Sequence, residues 1–135
     1  MTVVLDSSVV VAALIDPGSV GLWAESLLIS GPLAAPHLMP VEAANILRRS
    51  ALAGDISADV ASLAHEDLVS LRLELFPYDA CASRVWELRS NITAYDAWYV
   101  ALAETLGAKL ATLDERLTRA TGIRCDFAVP PVGRG

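Results

Sequence analysis

Four acidic residues, Asp6, Glu42, Asp96 and Asp114, stand at positions where short apolar runs give way to helix-forming stretches. Asp6 and Asp114 each follow a run that reads as a β-strand, so both should project from the carboxyl edge of a sheet. Glu42 and Asp96 fall in the first turns of two other predicted helices. Each has an ordinary explanation. Asp is a favoured N-cap, an acid at the third helical position can answer a Thr cap at position 93, and an early Glu complements the helix dipole. Two details point past those uses. On a helical projection Asp96 shares a face with Val100 and Ala103, with Tyr99 beside it, and a solvated cap has no need of an apolar stripe. Glu42 lies near Asn45, Ile46 and Arg49, a mixture that suits the wall of a polar pocket.

Gathered at one sheet edge, four carboxylates would raise one another's pKa unless a cation neutralised them. An oxygen-only ligand set, without His or Cys, selects a hard ion such as Mg²⁺ or Mn²⁺, held by few carboxylates together with water and substrate phosphate. The chemistry implied is phosphodiester hydrolysis. One ion would activate a water for in-line attack, and a second, if present about 4 Å away, would stabilise the leaving oxygen. Ser7, Asn45 and Thr112 are available to hydrogen-bond and orient the acids.

The elements that must position these groups follow from apolar periodicity and turn residues. Residues 3–5 read as a strand, 6–8 as a turn and 9–15 as a helix. Ser19 can cap a second helix to about Ile29, with Val20, Trp23, Leu27 and Ile29 approximating one face, stopped by Gly31 and Pro32. A brief strand at 33–35 precedes a helix opened by Pro40 and closed near Gly54. Further helices are expected from Ser57 to 71, from Asp79 to 90, from a Thr93 cap to Leu106, and over 114–120. Strands are expected at 72–76, 109–112 and 125–129. Strands alternating with helices predict a three-layer α/β/α sandwich with a mainly parallel central sheet, in one domain spanning 1–135 with a loose tail from about 131.

Composition bounds the function. With 54% hydrophobic residues and a mean hydropathy of +0.47 over 135 residues, the chain can bury a core. No apolar run approaches the ~18 residues of a membrane span, and the first residues lack the basic stretch and long apolar core of a signal peptide, so cytoplasmic residence is expected. Cys81 and Cys125 form neither a CxxC pair nor a zinc spacing, and His37 and His65 are isolated, which leaves zinc chemistry and a Cys-based dyad without partners. The net charge of -6 argues against gripping nucleic acid by bulk electrostatics, so any phosphate-binding cations must be placed locally. All but one of the ten basic residues are arginine, several of them close in sequence: Arg48 with Arg49, Arg84 with Arg89, and Arg116 with Arg119 and Arg124. An exposed arginine is commonly a solvated helix face, and that is the default for each.

The stretches VLDSS at 4–8, EAANIL at 42–47, TAYDAWYVALA at 93–103 and TLD at 112–114 together resemble the PIN-domain ribonucleases, most closely the VapC toxins of bacterial toxin-antitoxin pairs. The resemblance covers nearly the whole chain. It implies a three-layer α/β/α fold, divalent-metal-dependent cleavage of RNA, homodimerisation and inhibition by a cognate VapB-type antitoxin. The family's acids fall on Asp6, Glu42, Asp96 and Asp114, and its polar companions on Asn45 and Thr112. Glu115 is either an extra ligand or a solvated first-turn acid. Trp23 lies either in an antitoxin groove or in the core. Two other classes compete. A receiver-like phosphoryl-accepting domain should carry an acid pair after its first strand, whereas Asp6 is followed by serines, and the only lysine, Lys109, precedes its strand. A catalytically silent PIN-fold binding module would keep the fold and lose the chemistry. No P-loop motif is present.

Overall fold

The computed structural model describes residues 1–131, so the expected tail lies outside the described residues apart from Pro131. Five strands form one parallel sheet: β1 (Val3–Leu5), β2 (Leu33–Pro36), β3 (Glu74–Phe76), β4 (Lys109–Ala111) and β5 (Phe127–Ala128), in the order β3-β2-β1-β4-β5. β1 sits at the centre, with Val3 opposite Leu33 on one side and Lys109 on the other. Seven helices connect the strands: α1 (Ser7–Ile15), α2 (Ser19–Leu28), α3 (Met39–Leu52), α4 (Ala58–Ser70), α5 (Ala82–Glu87), α6 (Ala94–Leu106) and α7 (Glu115–Thr118).

The strand order sorts the helices into layers. Connections from β1 to β2 to β3 run one way across the sheet, and those from β3 to β4 to β5 run the other way. With right-handed crossovers, α1 to α4 cover one face and α5 to α7 the opposite face. The packing agrees: α1 lies against α2, α3 and α4, whereas α6 lies against α5 and against β1, β2 and β4. This is the expected three-layer α/β/α sandwich.

Burial explains the two helices that matter most. In α1 the run Val9, Val10, Val11, Ala12 and Ala13 is buried. Its β-branched residues are modest helix formers, but a helix that is apolar all round is held by tertiary packing instead of propensity. α6 buries Ala97, Tyr99, Val100, Ala101, Leu102 and Ala103 and stops at Gly107, whose φ of 60° is the left-handed conformation that glycine adopts without strain. Between α1 and α2 the chain bends by 111°. Gly21 permits that corner, since a Cβ there would lie 1.8 Å from the Asp16 carbonyl oxygen. Among the described residues no single helix is long and apolar enough to cross a membrane.

Several boundaries differ from expectation. The N-cap of α2 is Gly18, not Ser19, and the Gly18 N–H donates to Asp16 Oδ1 at 2.8 Å. Ile29 does not join the α2 face: it is the C-cap and is 88% exposed. The helix expected over 79–90 is regular only at Ala82–Glu87, because the chain tightens into i→i+3 bonds at Leu88, Arg89 and Asn91 as it turns toward α6. β3 is shorter than 72–76 because its ladder with β2 pairs only residues 74–76. β5 is shorter than 125–129, at two residues, and α7 ends at Thr118.

Candidate active site

β1 is the strand at which the winding of the sheet reverses, with its own connection leaving toward β2 and the neighbouring β4 leading toward β5. A crevice forms outside the carboxyl ends of strands at such a point. Asp6 stands at the end of β1, and Thr112 and Asp114 follow the end of β4. α6 packs across the β1, β2 and β4 strands, and its first turn brings Asp96 to the same edge. The first turn of α3, which follows β2, brings Glu42.

Asp6 occupies the N-cap of α1, yet its side chain makes no capping bond. Its carboxylate accepts instead from the Thr112 hydroxyl at 2.7 Å and the Ser8 hydroxyl at 3.2 Å, both on Oδ2, and from Ser7 at 3.4 Å on Oδ1. Thr112 is fully buried and also accepts from the Asp114 N–H at 3.0 Å, so one hydroxyl links the ends of β1 and β4. Ser8 does the same from the other side, accepting from the Leu113 N–H at 3.3 Å. Asp114 does cap its helix, Oδ1 accepting from the N–H groups of Arg116 and Leu117 at 2.9 and 3.3 Å. The Asp96 N–H is held by the Thr93 hydroxyl at 3.2 Å, which fixes the start of α6. Glu42 accepts from the buried Tyr99 hydroxyl at 2.5 Å, a bond that ties α3 to α6.

These acids act on one another. Burial pushes the Glu42 carboxyl above the usual range, the Tyr99 bond opposes that, and the charges of Asp6 and Asp96 push it up further. Burial likewise raises Asp96, reinforced by Asp6 and Asp114 and offset in part by Thr93 and Arg116. Asp6 therefore couples to Glu42 and Asp96, and Asp96 couples to Asp114, as one connected chain of like charges. Burial and the bond to Glu42 hold the Tyr99 phenol well above its ordinary range, so it remains a donor.

Among the described residues no three of these side chains close into a ready-made metal cage. The donor set is all oxygen, and two of its acids, Glu42 and Asp96, are held above their usual pKa by burial first and by acidic neighbours in addition. A hard divalent cation fits that charge distribution.

Of the expected companions, Thr112 and Ser7 contact Asp6, while Asn45 is exposed and makes no side-chain hydrogen bond among the described residues. Glu115 is exposed on α7. Sequence spacing does not single out Ser8 or the Tyr99 bond to Glu42. Adjacent serines after Asp6 left open which would reach it. For Tyr99 a signal existed, since a tyrosine on a buried stripe must find a partner for its hydroxyl.

The profile of the PIN domain family matches residues 3–123, and the chain belongs to that family. Within it the chain groups with VapC proteins. It is 38% identical over 125 residues to ribonuclease VapC1 of Mycobacterium tuberculosis, covering 92% of this chain and 94% of the relative. It is 36% identical over 129 residues to ribonuclease VapC9 of the same species, covering 96% and 98%. Its fold is also similar to the crystal structure of VapBC2 from Rickettsia felis bound to a DNA fragment from their promoter, with a TM-score of 0.68 at 19% identity over 96% of this chain and 98% of that one.

Proposed function

We propose that this protein is the toxin of a toxin-antitoxin pair, a metal-dependent endoribonuclease that hydrolyses RNA phosphodiester bonds at Asp6, Glu42, Asp96 and Asp114. The observation that carries the reading is the convergence of Asp6, Asp96 and Asp114 on the β1/β4 crevice, where only Asp114 spends its carboxylate on a helix cap. The ribonuclease names of relatives above 30% identity support the activity. A bound Mg²⁺ or Mn²⁺ would supply charge neutralisation at the scissile phosphate and a more acidic water.

The chain's own residues divide the remaining work. Asp6, Asp96 and Asp114 would hold the cation, and Glu42 would bind it or orient a water. Thr112, Ser7 and Ser8 hold the Asp6 carboxylate by hydrogen bonds, and Tyr99 holds Glu42. A VapB-type antitoxin as partner is supported by the VapBC2 complex, and a homodimer by the family resemblance. Trp23 is half-buried and packs against the core, which favours a core role over a groove. Action on RNA would place the protein in the cytoplasm.

Purified protein with Mg²⁺ or Mn²⁺ should cut RNA internally, and Asp6→Asn and Asp96→Asn should abolish cleavage while remaining folded by circular dichroism. Sequencing RNA ends after induced expression of wild type beside Asp96→Asn would identify the cut. Full activity in either variant, once contaminating nuclease is excluded, sinks the assignment.

A further inference from the structure

An acidic site on a chain of net charge -6 must receive a polyanion, and phosphates flanking the cut one are held by basic side chains placed locally. Several of the basic residues are already committed or lie away from the acids. Arg84 is consumed: Nε donates to Glu104 Oε1 at 2.7 Å, Nη1 to Glu87 at 3.2 Å and Nη2 to the Gly122 carbonyl at 2.6 Å. Arg89 stacks 4.9 Å over the Trp86 ring and donates to the Trp86 carbonyl at 2.7 Å. Arg48 lines a cleft between α3 and α4 with His65 and Glu66. Lys109 opens β4 and Arg72 precedes β3, both at the amino edge of the sheet, opposite the acids. Arg49 lies two helical turns beyond Glu42, roughly 10 Å along α3.

Arg116 is different. It follows Asp114 by two residues, at the carboxyl end of β4, and its N–H donates to Asp114 Oδ1 at 2.9 Å, which locks its backbone to the site. The residue is exposed. Among the described residues its guanidinium forms no ion pair, although its charge reaches Asp96. A guanidinium that stays unpaired on a backbone anchored to Asp114 keeps its planar fork available to an incoming phosphate.

We propose that Arg116 binds a backbone phosphate of the RNA and so positions the strand over the carboxylates, an inference that rests on the nuclease reading. The contact is to the backbone and carries no base preference of its own.

The test measures binding of a fluorescein-labelled single-stranded RNA of mixed sequence by anisotropy, from 50 to 300 mM KCl, with Asp6→Asn protein so that no strand is cut. Adding Arg116→Gln should weaken binding about tenfold at 100 mM salt and make the slope of log affinity against log salt shallower by about 0.7, the value for one phosphate contact on a single strand. Arg116→Lys should restore the slope, because a point charge suffices for counterion release, while recovering only part of the affinity. A merely structural role would leave the slope unchanged, since the anchoring bond uses the backbone N–H that every variant keeps. An unchanged slope in folded Arg116→Gln overturns the proposal. Wild-type protein that neither binds nor cuts RNA overturns the nuclease reading instead, and this inference with it.

Discussion

Asp96 bears the conflict between stability and chemistry most directly. Its carboxyl is raised by burial and by the charges of Asp6 and Asp114, so the folded protein holds a proton there more tightly than the unfolded chain does. For an acid shifted this way, the favourable contribution is present below the unfolded value and is lost as pH rises through the folded one. At neutral pH the ionised group therefore opposes folding. Asp96→Asn removes that charge and keeps the backbone N–H that Thr93 caps. We expect the metal-free variant to be more stable than wild type at pH 7.5 by about 1 kcal/mol, a figure that allows for solvent screening around a half-buried group. The melting temperature should rise by roughly 3 °C. Thermal denaturation in EDTA measures this, and a variant that melts well below wild type would show Asp96 to be structural. Residues of this kind were legible because four acids at strand ends and helix starts are too many for capping alone. Ser8 was not, because hydrogen-bond reach depends on rotamers that spacing does not set.

At the scale of elements, the α5/α6 layer depends on one polar tie. Arg84 on α5 pairs with Glu104 on α6 and with the Gly122 carbonyl, and Glu104 also accepts from the Arg124 N–H at 2.8 Å. Both side chains of the pair are largely shielded, at 18% and 14% exposure. Burial alone would raise Glu104, but the Arg84 and Arg124 bonds outweigh it and hold the carboxyl below its usual range. The stability this confers is present above the unfolded value near 4.5 and is lost as pH falls through the lower folded one. Glu104→Gln puts an amide N–H₂ against donors and should cost about 2 kcal/mol, lowering the melting temperature by roughly 6–8 °C. A loss under about 0.5 kcal/mol, the level of an ordinary surface substitution, would mean the tie is dispensable. The same region was read least accurately from sequence. Thr93 and Gly107 announced α6 by their capping chemistry, whereas α5 was expected to be twice as long. Nothing in residues 79–90 reveals that Asn91 must turn to donate to the Thr121 carbonyl at 2.8 Å.

For the whole molecule, alternation of strands and helices is enough to predict the parallel sandwich, but not the order β3-β2-β1-β4-β5, since order depends on which crossover packs where. That order makes β1 the switch strand and brings Asp6 beside Asp114, residues more than a hundred positions apart in the chain. The acids thus store electrostatic repulsion that the core offsets, and a cation should release it. Glu42 and Asp96 are both raised, each by burial first and by acidic neighbours in addition, so on the proposed function protons and metal would compete for the same oxygens. Metal-free protein should consequently be more stable near pH 5 than at pH 7.5, because the raised acids are then partly neutral. Saturating Mg²⁺ or Mn²⁺ should reverse the order. At a hundredfold excess over Kd, binding to the folded state alone adds about 2.7 kcal/mol, and at pH 5 the gain should shrink as protons occupy the site. Scanning melting temperature against metal concentration at the two pH values reads this directly, with Asp6→Asn as the control that loses the response. A wild-type melting temperature indifferent to either ion at pH 7.5 would contradict a metal-binding role for the cluster.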